Sequence, residues 1–312
     1  MTNPPPWHAE AWARLQARRR RDALPHALLL AGPAGLGKRA FLDRFVRGLL
    51  CGQPADGDAC GRCRSCLLLD AGTHPDRVAL GYGLRRDGVQ RSEIVVDQIR
   101  ELSARLATSS QFGGWQVASI DPADAMNAAA ANALLKTLEE PARQTMLVLV
   151  ADAPWRLPQT IRSRCQRIEF ALPARTQALA WLEAEGVREA AAALDAAGGN
   201  PGQALAWARD GALDRRQEVR RDLAALAAGR GEAMEVVRRW LDGEPAQRLW
   251  FAAQAAADEA RARASGQAGP LASAMDAETL GHWYDLANRA RDALRGPLRG
   301  DLLLLDLLRQ WR

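Results

Sequence analysis

Lysine is almost missing from this 312-residue chain: of its 42 basic residues only Lys38 and Lys136 are lysine, and the rest are arginine. With arginine so common, no single arginine carries much information, and runs such as Arg18–Arg21 read as solvated helix faces. A strong charge bias is also lacking. The net charge of +5 permits contact with a polyanion but does not argue for one. Long apolar runs are absent: Ala27–Ala31 and Met146–Ala151 fall far short of the roughly 20 residues needed to cross a bilayer. Residues 1–10 have no basic start followed by an apolar stretch, so no secretory leader is expected. No internal repeat is visible. These absences predict a soluble, cytoplasmic protein.

What the chain does have is apolar material, 48% of its residues, enough at this length for roughly two or three cores. Residues 1–170 alternate short strands with helices. Strands are expected at His26–Ala31, Ile94–Val96, Gln116–Ile120 and Met146–Ala151, and helices at Arg39–Leu50, Asp97–Leu106 and Ala128–Glu140, with Asp97 as a cap. Such alternation predicts a mostly parallel sheet covered by helices. Pro173 closes this part, and the rest is rich in Ala, Leu, Arg and Glu at helical spacing. Helices at Thr176–Glu185 and Glu189–Ala197 precede the breaker Gly198-Gly199-Asn200-Pro201, and a helical bundle follows from about Asp210. Ser265–Pro270 reads as a flexible loop, and Leu298–Trp311 as a closing amphipathic helix. The fold class is therefore α/β plus all-α, with domains at 1–170, 171–208 and 209–312.

Gly32-Pro33-Ala34-Gly35-Leu36-Gly37-Lys38 fits the first seven positions of the Walker A pattern, between a strand and a helix as that motif requires. Its glycines let backbone N–H groups converge on phosphate, and Lys38 reaches the terminal phosphates. The next residue should be a Ser or Thr that ligates magnesium. It is Arg39, whose guanidinium has no lone pair to give. Arg39 favours a retained structural turn over a working nucleotide site. Asp121, after the strand Gln116–Ile120, stands at the Walker B position, but Pro122 occupies the place of the water-activating Glu. Asp124, on the turn beyond, points away and is not a substitute.

Cys51, Cys60, Cys63 and Cys66 form C-x8-C-x2-C-x2-C. Four thiolates at this spacing can surround one ion tetrahedrally, and structural zinc is the expected metal, with an iron–sulfur cluster as the alternative. Cys165 is remote in sequence and reads as buried packing.

A P-loop, a helix and then such a cluster resembles the bacterial clamp-loader subunits of the AAA+ family. Ile94–Leu102, Asn132-Ala133-Leu134-Leu135-Lys136-Thr137-Leu138-Glu139-Glu140-Pro141 and Ser163-Arg164-Cys165 strengthen the resemblance, which covers residues 24–170. It implies a RecA-like AAA+ P-loop domain with an inserted zinc module, a small helical lid and a C-terminal helical collar. The family contains motors (gamma/tau) and non-motors. Arg39 and Pro122 depart from the motor pattern, as do the missing sensor threonine near Ala151-Asp152 and Gly202, which stands where gamma/tau place a phosphate-sensing Arg. The resemblance thus implies a non-motor subunit without ATPase activity of its own. Its implied partners are gamma/tau, delta, the sliding clamp and primer–template DNA, with ATP bound by the partner subunits. It further implies that Arg164 is an arginine finger for a neighbour's ATP, that Lys136 faces DNA or is a plain surface lysine, and that the leucines of 302–308 help join subunits. Two rival readings stand beside it: an active AAA+ ATPase, and a zinc-ribbon nucleic-acid-binding protein with a vestigial P-loop.

Overall fold

The computed structural model describes residues 4–84, 88–294 and 299–311. Leu298 and the first three residues of the leader reading lie outside the described residues. The chain forms two compact units, residues 1–181 with 200–203, and residues 182–199 with 204–312. Both units draw on the stretch 171–208.

In the first unit five strands, β1 (Ala27–Ala31), β2 (Arg77–Leu80), β3 (Gln116–Ile120), β4 (Thr145–Ala151) and β5 (Gln166–Glu169), make one parallel sheet in the order β2-β3-β4-β1-β5. Every residue of β1, β3 and β4 is buried, which is why these strands read as continuous apolar runs rather than alternating ones. β5 lies at an edge and carries Gln166, Arg167 and Glu169 exposed. Alternate side chains of the central strands feed two cores. Leu29, Ala118, Ile120, Leu147 and Leu149 meet Ile99 and Leu102 of α4 (Val96–Leu106) and Leu134 and Leu138 of α5 (Ala128–Glu139). On the other face Leu28, Leu30, Val148 and Val150 meet Trp12 and Leu15 of α1 (Ala9–Arg20) and Phe41 and Phe45 of α2 (Lys38–Leu50).

One expected strand does not form. Ile94 makes only an isolated bridge to Met126, and Val96 is already the first residue of α4. The helix starts early because the Gln98 side-chain oxygen accepts the Val95 N–H at 3.1 Å, satisfying a donor that a strand partner would otherwise take. Asp97 consequently sits in the first turn rather than at the cap.

The second unit is helical, as its composition predicts. It contains α8 (Ala190–Ala196), α10 (Ala212–Ala227), α11 (Ala233–Leu241), α12 (Pro245–Ala264), α13 (Ala277–Ala293) and α14 (Gly300–Arg309), while α7 (Arg175–Ala184) and α9 (Pro201–Arg209) each have residues in both units. Three fully buried tryptophans organise it, and each indole N–H has an acceptor: Trp240 on Asp222, Trp283 on the Leu307 carbonyl, Trp311 on the Leu223 carbonyl. In α14, Leu304, Leu307 and Leu308 are buried and Leu302 stays 56% exposed.

The loop between α12 and α13, which includes Ser265–Pro270, is held from below. The Glu259 carboxylate is 0% exposed and accepts the backbone N–H groups of Leu271 at 2.7 Å and Ser273 at 3.1 Å. Glu259→Ala strands both donors in the interior and is expected to cost about 2–3 kcal/mol. Urea denaturation checks this, and Glu259→Gln, which keeps one acceptor oxygen, should lose less.

Candidate functional site

Because the sheet is parallel and β3, β4 and β1 are neighbours, the residues that follow these strands emerge on one edge. That edge, beyond the carboxyl ends of the strands, is where open α/β sheets place ligands. It collects the P-loop after β1, Asp121 after β3 and Asp152 after β4. Gly32, Gly35, Gly37, Lys38, Arg39 and Asp121, all singled out from sequence, therefore share one site. Gly35 (φ +84°) and Gly37 (φ +80°) supply the left-handed backbone that the loop needs before α2 begins.

The site is filled by its own residues. Lys38 Nζ donates to the Gly32 carbonyl at 2.5 Å and the Pro33 carbonyl at 2.6 Å, and lies 2.7 Å from Asp152 Oδ1. Two carbonyls thus accept from the ammonium, and Asp152 supplies its counter-charge. The side chain is 1% exposed. Arg39 forks onto Asp121, with Nε and Nη2 each 2.8 Å from a carboxylate oxygen, and Nη2 also donates to Asp152 Oδ2 at 3.0 Å. Two cations and two carboxylates thus form a chain of ion pairs, Lys38–Asp152–Arg39–Asp121, across the ends of β1, β3 and β4.

Burial alone would raise the Asp152 carboxyl, but the contacts and charges of Lys38 and Arg39 outweigh it and hold the group below its ordinary value of 3.8. Burial likewise would lower Arg39, and the hydrogen bonds and charges of Asp152 and Asp121 hold it above its ordinary value instead. Asp124, set aside in sequence, accepts the N–H groups of Asp152 at 3.3 Å and Ala153 at 3.0 Å, and so fixes the backbone that aims Asp152.

The P-loop is also clasped from outside. Trp7 Nε1 and His8 Nε2 both donate to the Leu36 carbonyl, at 3.0 and 2.8 Å. A carbonyl only accepts, so His8 carries its proton on Nε2. Burial pushes His8 below its usual value. Asn200 Nδ2 donates to the Ala34 carbonyl at 2.7 Å. Gly202 comes so close that a Cβ there would lie 1.8 Å from the Gly35 carbonyl oxygen. Any side chain at this position, arginine above all, meets backbone. Asp152, His8, Trp7 and Asn200 were not singled out from sequence.

Arg164 stands apart from these ion pairs. It follows α6 (Gln159–Arg162), with Nη2 2.6 Å from Glu139 Oε1 and Nη1 donating to the Thr160 carbonyl at 3.1 Å. Next to it Cys165 is buried, and burial pushes its thiol up to about 12, consistent with packing rather than chemistry. Lys136 is exposed on α5.

The four clustered cysteines come from the end of α2, the loop after it and α3 (Arg64–Asp70), and their sulfurs all lie within 4.8 Å of one another. Cys63–Cys66, Cys51–Cys66, Cys51–Cys63 and Cys60–Cys66 are separated by 3.5, 3.7, 3.9 and 4.0 Å. Four sulfurs about 2.3 Å from a central zinc define edges of about 3.8 Å, so the donor set fits a tetrahedral cation. All four are free thiols. The module is anchored by Arg44, which grips Asp58 at 2.5 and 2.6 Å while its guanidinium stacks 3.8 Å above Trp12.

Fold and site together define a parallel α/β protein whose P-loop is internally occupied. A family model described as "DNA polymerase III, delta subunit" matches residues 7–174. The DNA polymerase III subunit delta' of Pseudomonas aeruginosa is 38% identical over 239 residues, 75% of this chain and 70% of that protein. The Escherichia coli subunit delta' is 38% identical over 204 residues, 64% of this chain and 60% of that protein. A tau/gamma subunit from Haemophilus influenzae is 33% identical over 153 residues, 49% of this chain and 21% of that protein. The chain belongs to the delta-prime family of DNA polymerase III subunits. Among the described residues no helix is long and apolar enough to cross a membrane.

Two measurements check the site. Asp152 has its folded value depressed, so its stabilisation is full well above 3.8 and is lost as pH falls through the lower folded value. Asp152→Asn should therefore lower Tm at neutral pH, and the gap to wild type should close as the solution is acidified below about pH 4. Gly202→Ala, forced against the Gly35 carbonyl, is expected to cost about 1–3 kcal/mol in thermal or urea unfolding.

Proposed function

We propose that this chain is the stationary, non-motor subunit of the clamp loader of DNA polymerase III, joined to delta and gamma/tau and lending Arg164 to a neighbouring gamma/tau ATP site. The observation that carries this reading is the pairing of Lys38 with Asp152 and of Arg39 with both Asp152 and Asp121. A nucleotide arriving at this loop would have to break contacts to two carboxylates, and a magnesium ion would meet a guanidinium where it needs a hydroxyl. ATP is accordingly bound by the partner subunits and not here, and the chain has no ATPase activity of its own. The domain division that goes with this role is a RecA-like AAA+ domain over 1–170, a lid over 171–208 and a collar over 209–312.

In the assembly, water attacks the γ-phosphoryl group of a neighbour's ATP, giving ADP and inorganic phosphate. Arg164 is partly exposed and able to reach outward from this subunit. A guanidinium delivered in this way neutralises charge on the transferring group, an effect that reaches about 10³–10⁵ in GTPases. ATP binding by the complex opens the sliding clamp, and primer–template DNA triggers hydrolysis. Lys136, exposed on α5, is available to the DNA backbone inside the complex. Zinc held by Cys51, Cys60, Cys63 and Cys66 is structural, since all four positions are filled by protein sulfur.

Reconstitution tests the role. With delta and gamma/tau present, Arg164→Ala should lower the DNA-stimulated ATPase rate of the complex by at least about 10³-fold at this one site. An unchanged rate would reject the finger. Separately, the purified chain should carry about one zinc per molecule by elemental analysis. Chelation should lower its Tm, and a metal-free protein of unchanged Tm would reject the zinc assignment.

A further inference from the structure

The Arg164 side chain is not free to wander. A guanidinium carries five N–H groups in a rigid fork. One edge of that fork is engaged, Nη2 with Glu139 Oε1 at 2.6 Å and Nη1 with the Thr160 carbonyl at 3.1 Å. The two anchors belong to different elements. Thr160 lies on α6, four residues before Arg164 itself, so that contact alone would let the side chain ride with its own turn. Glu139 is the last residue of α5, 25 positions earlier, and it ties the guanidinium to the helix that covers the sheet. The remaining N–H groups face a side chain environment that is still 37% exposed on Arg164 and 50% exposed on Glu139. An exposed ion pair of this kind contributes little to stability. Its geometric effect is larger, because it selects one orientation of a side chain with four rotatable bonds.

We propose that Glu139 is the positioning residue for Arg164: it holds one edge of the guanidinium so that the opposite edge is presented, preorganised, to a phosphoryl group of the neighbouring subunit. This rests on the finger reading above and adds to it. A carboxylate so near an incoming triphosphate would by itself be repulsive, and its neutralisation by Arg164 lets one side chain serve both anions. The bond to Glu139 persists while the free donors engage the phosphoryl oxygens, so positioning costs the finger none of the contacts it needs.

The test uses the reconstituted complex with Glu139→Ala, Glu139→Gln, Arg164→Ala and the double variant, each first shown to assemble. Glu139→Ala should lower kcat for ATP hydrolysis by about tenfold with KM for ATP unchanged, because misorientation acts on the transition state and the nucleotide is bound elsewhere. Glu139→Gln keeps an acceptor oxygen at the same reach and should recover most of the rate. In the Arg164→Ala background, Glu139→Ala should add no further loss, since it acts only through Arg164. Wild-type kcat for Glu139→Ala beside a crippled Arg164→Ala complex would overturn the positioning role and leave the finger standing. A kcat above wild type would also overturn it, marking Glu139 as a competitor of phosphate. A wild-type rate for Arg164→Ala would remove the finger reading and this proposal with it.

Discussion

Asp152 sits 2.7 Å from the one lysine of the P-loop, and most of what is particular to this protein depends on that contact. A buried ammonium without an anion is costly, and in a nucleotide-binding P-loop the anion is phosphate. Here a carboxylate from the end of the adjacent strand takes that part. Arg39 then bridges Asp152 to Asp121, so the P-loop lysine, the residue after it and the acids that follow β3 and β4 are linked by side-chain contacts. Trp7 and His8 on the Leu36 carbonyl and Asn200 on the Ala34 carbonyl fasten the same loop from further sides.

The parallel sheet is what brings these ion pairs together. With β4 between β1 and β3, three strand ends lie side by side, and one acid on each of two strands reaches the loop on the third. Arg164 lies outside these ion pairs, held by Glu139 at the end of α5. The P-loop cations and Arg164 are thus paired separately, the first with Asp152 and Asp121 and the second with Glu139.

Legibility in the sequence followed the range of the contacts. The P-loop and the cysteine cluster are local patterns, and their spacing alone located them; the sulfurs lie within 4.8 Å of one another. The buried strands β1, β3 and β4 were visible as apolar runs for the same reason. Arg39 and Pro122 stood out as departures from a motif pattern because each stands next to a motif. Asp152 could not be assigned a partner, since that requires knowing that β4 lies beside β1, a fact about strand order and not about spacing. His8 and Asn200 reach the loop across 28 and 166 residues, and no pattern links such positions. Ile94–Val96 misled because three β-branched residues suggest a strand, whereas a single side-chain bond from Gln98 starts a helix there.

The central claim is that the P-loop is satisfied from within and has no use for a nucleotide. Equilibrium binding of magnesium–ATP to the purified chain, followed by titration calorimetry, tests it most directly. The account predicts no saturable binding up to about 1 mM ATP, a concentration at which any site better than about −4 kcal/mol would begin to fill. A micromolar Kd that disappears in Lys38→Ala would contradict it, because Lys38 would then be exchanging Asp152 for phosphate.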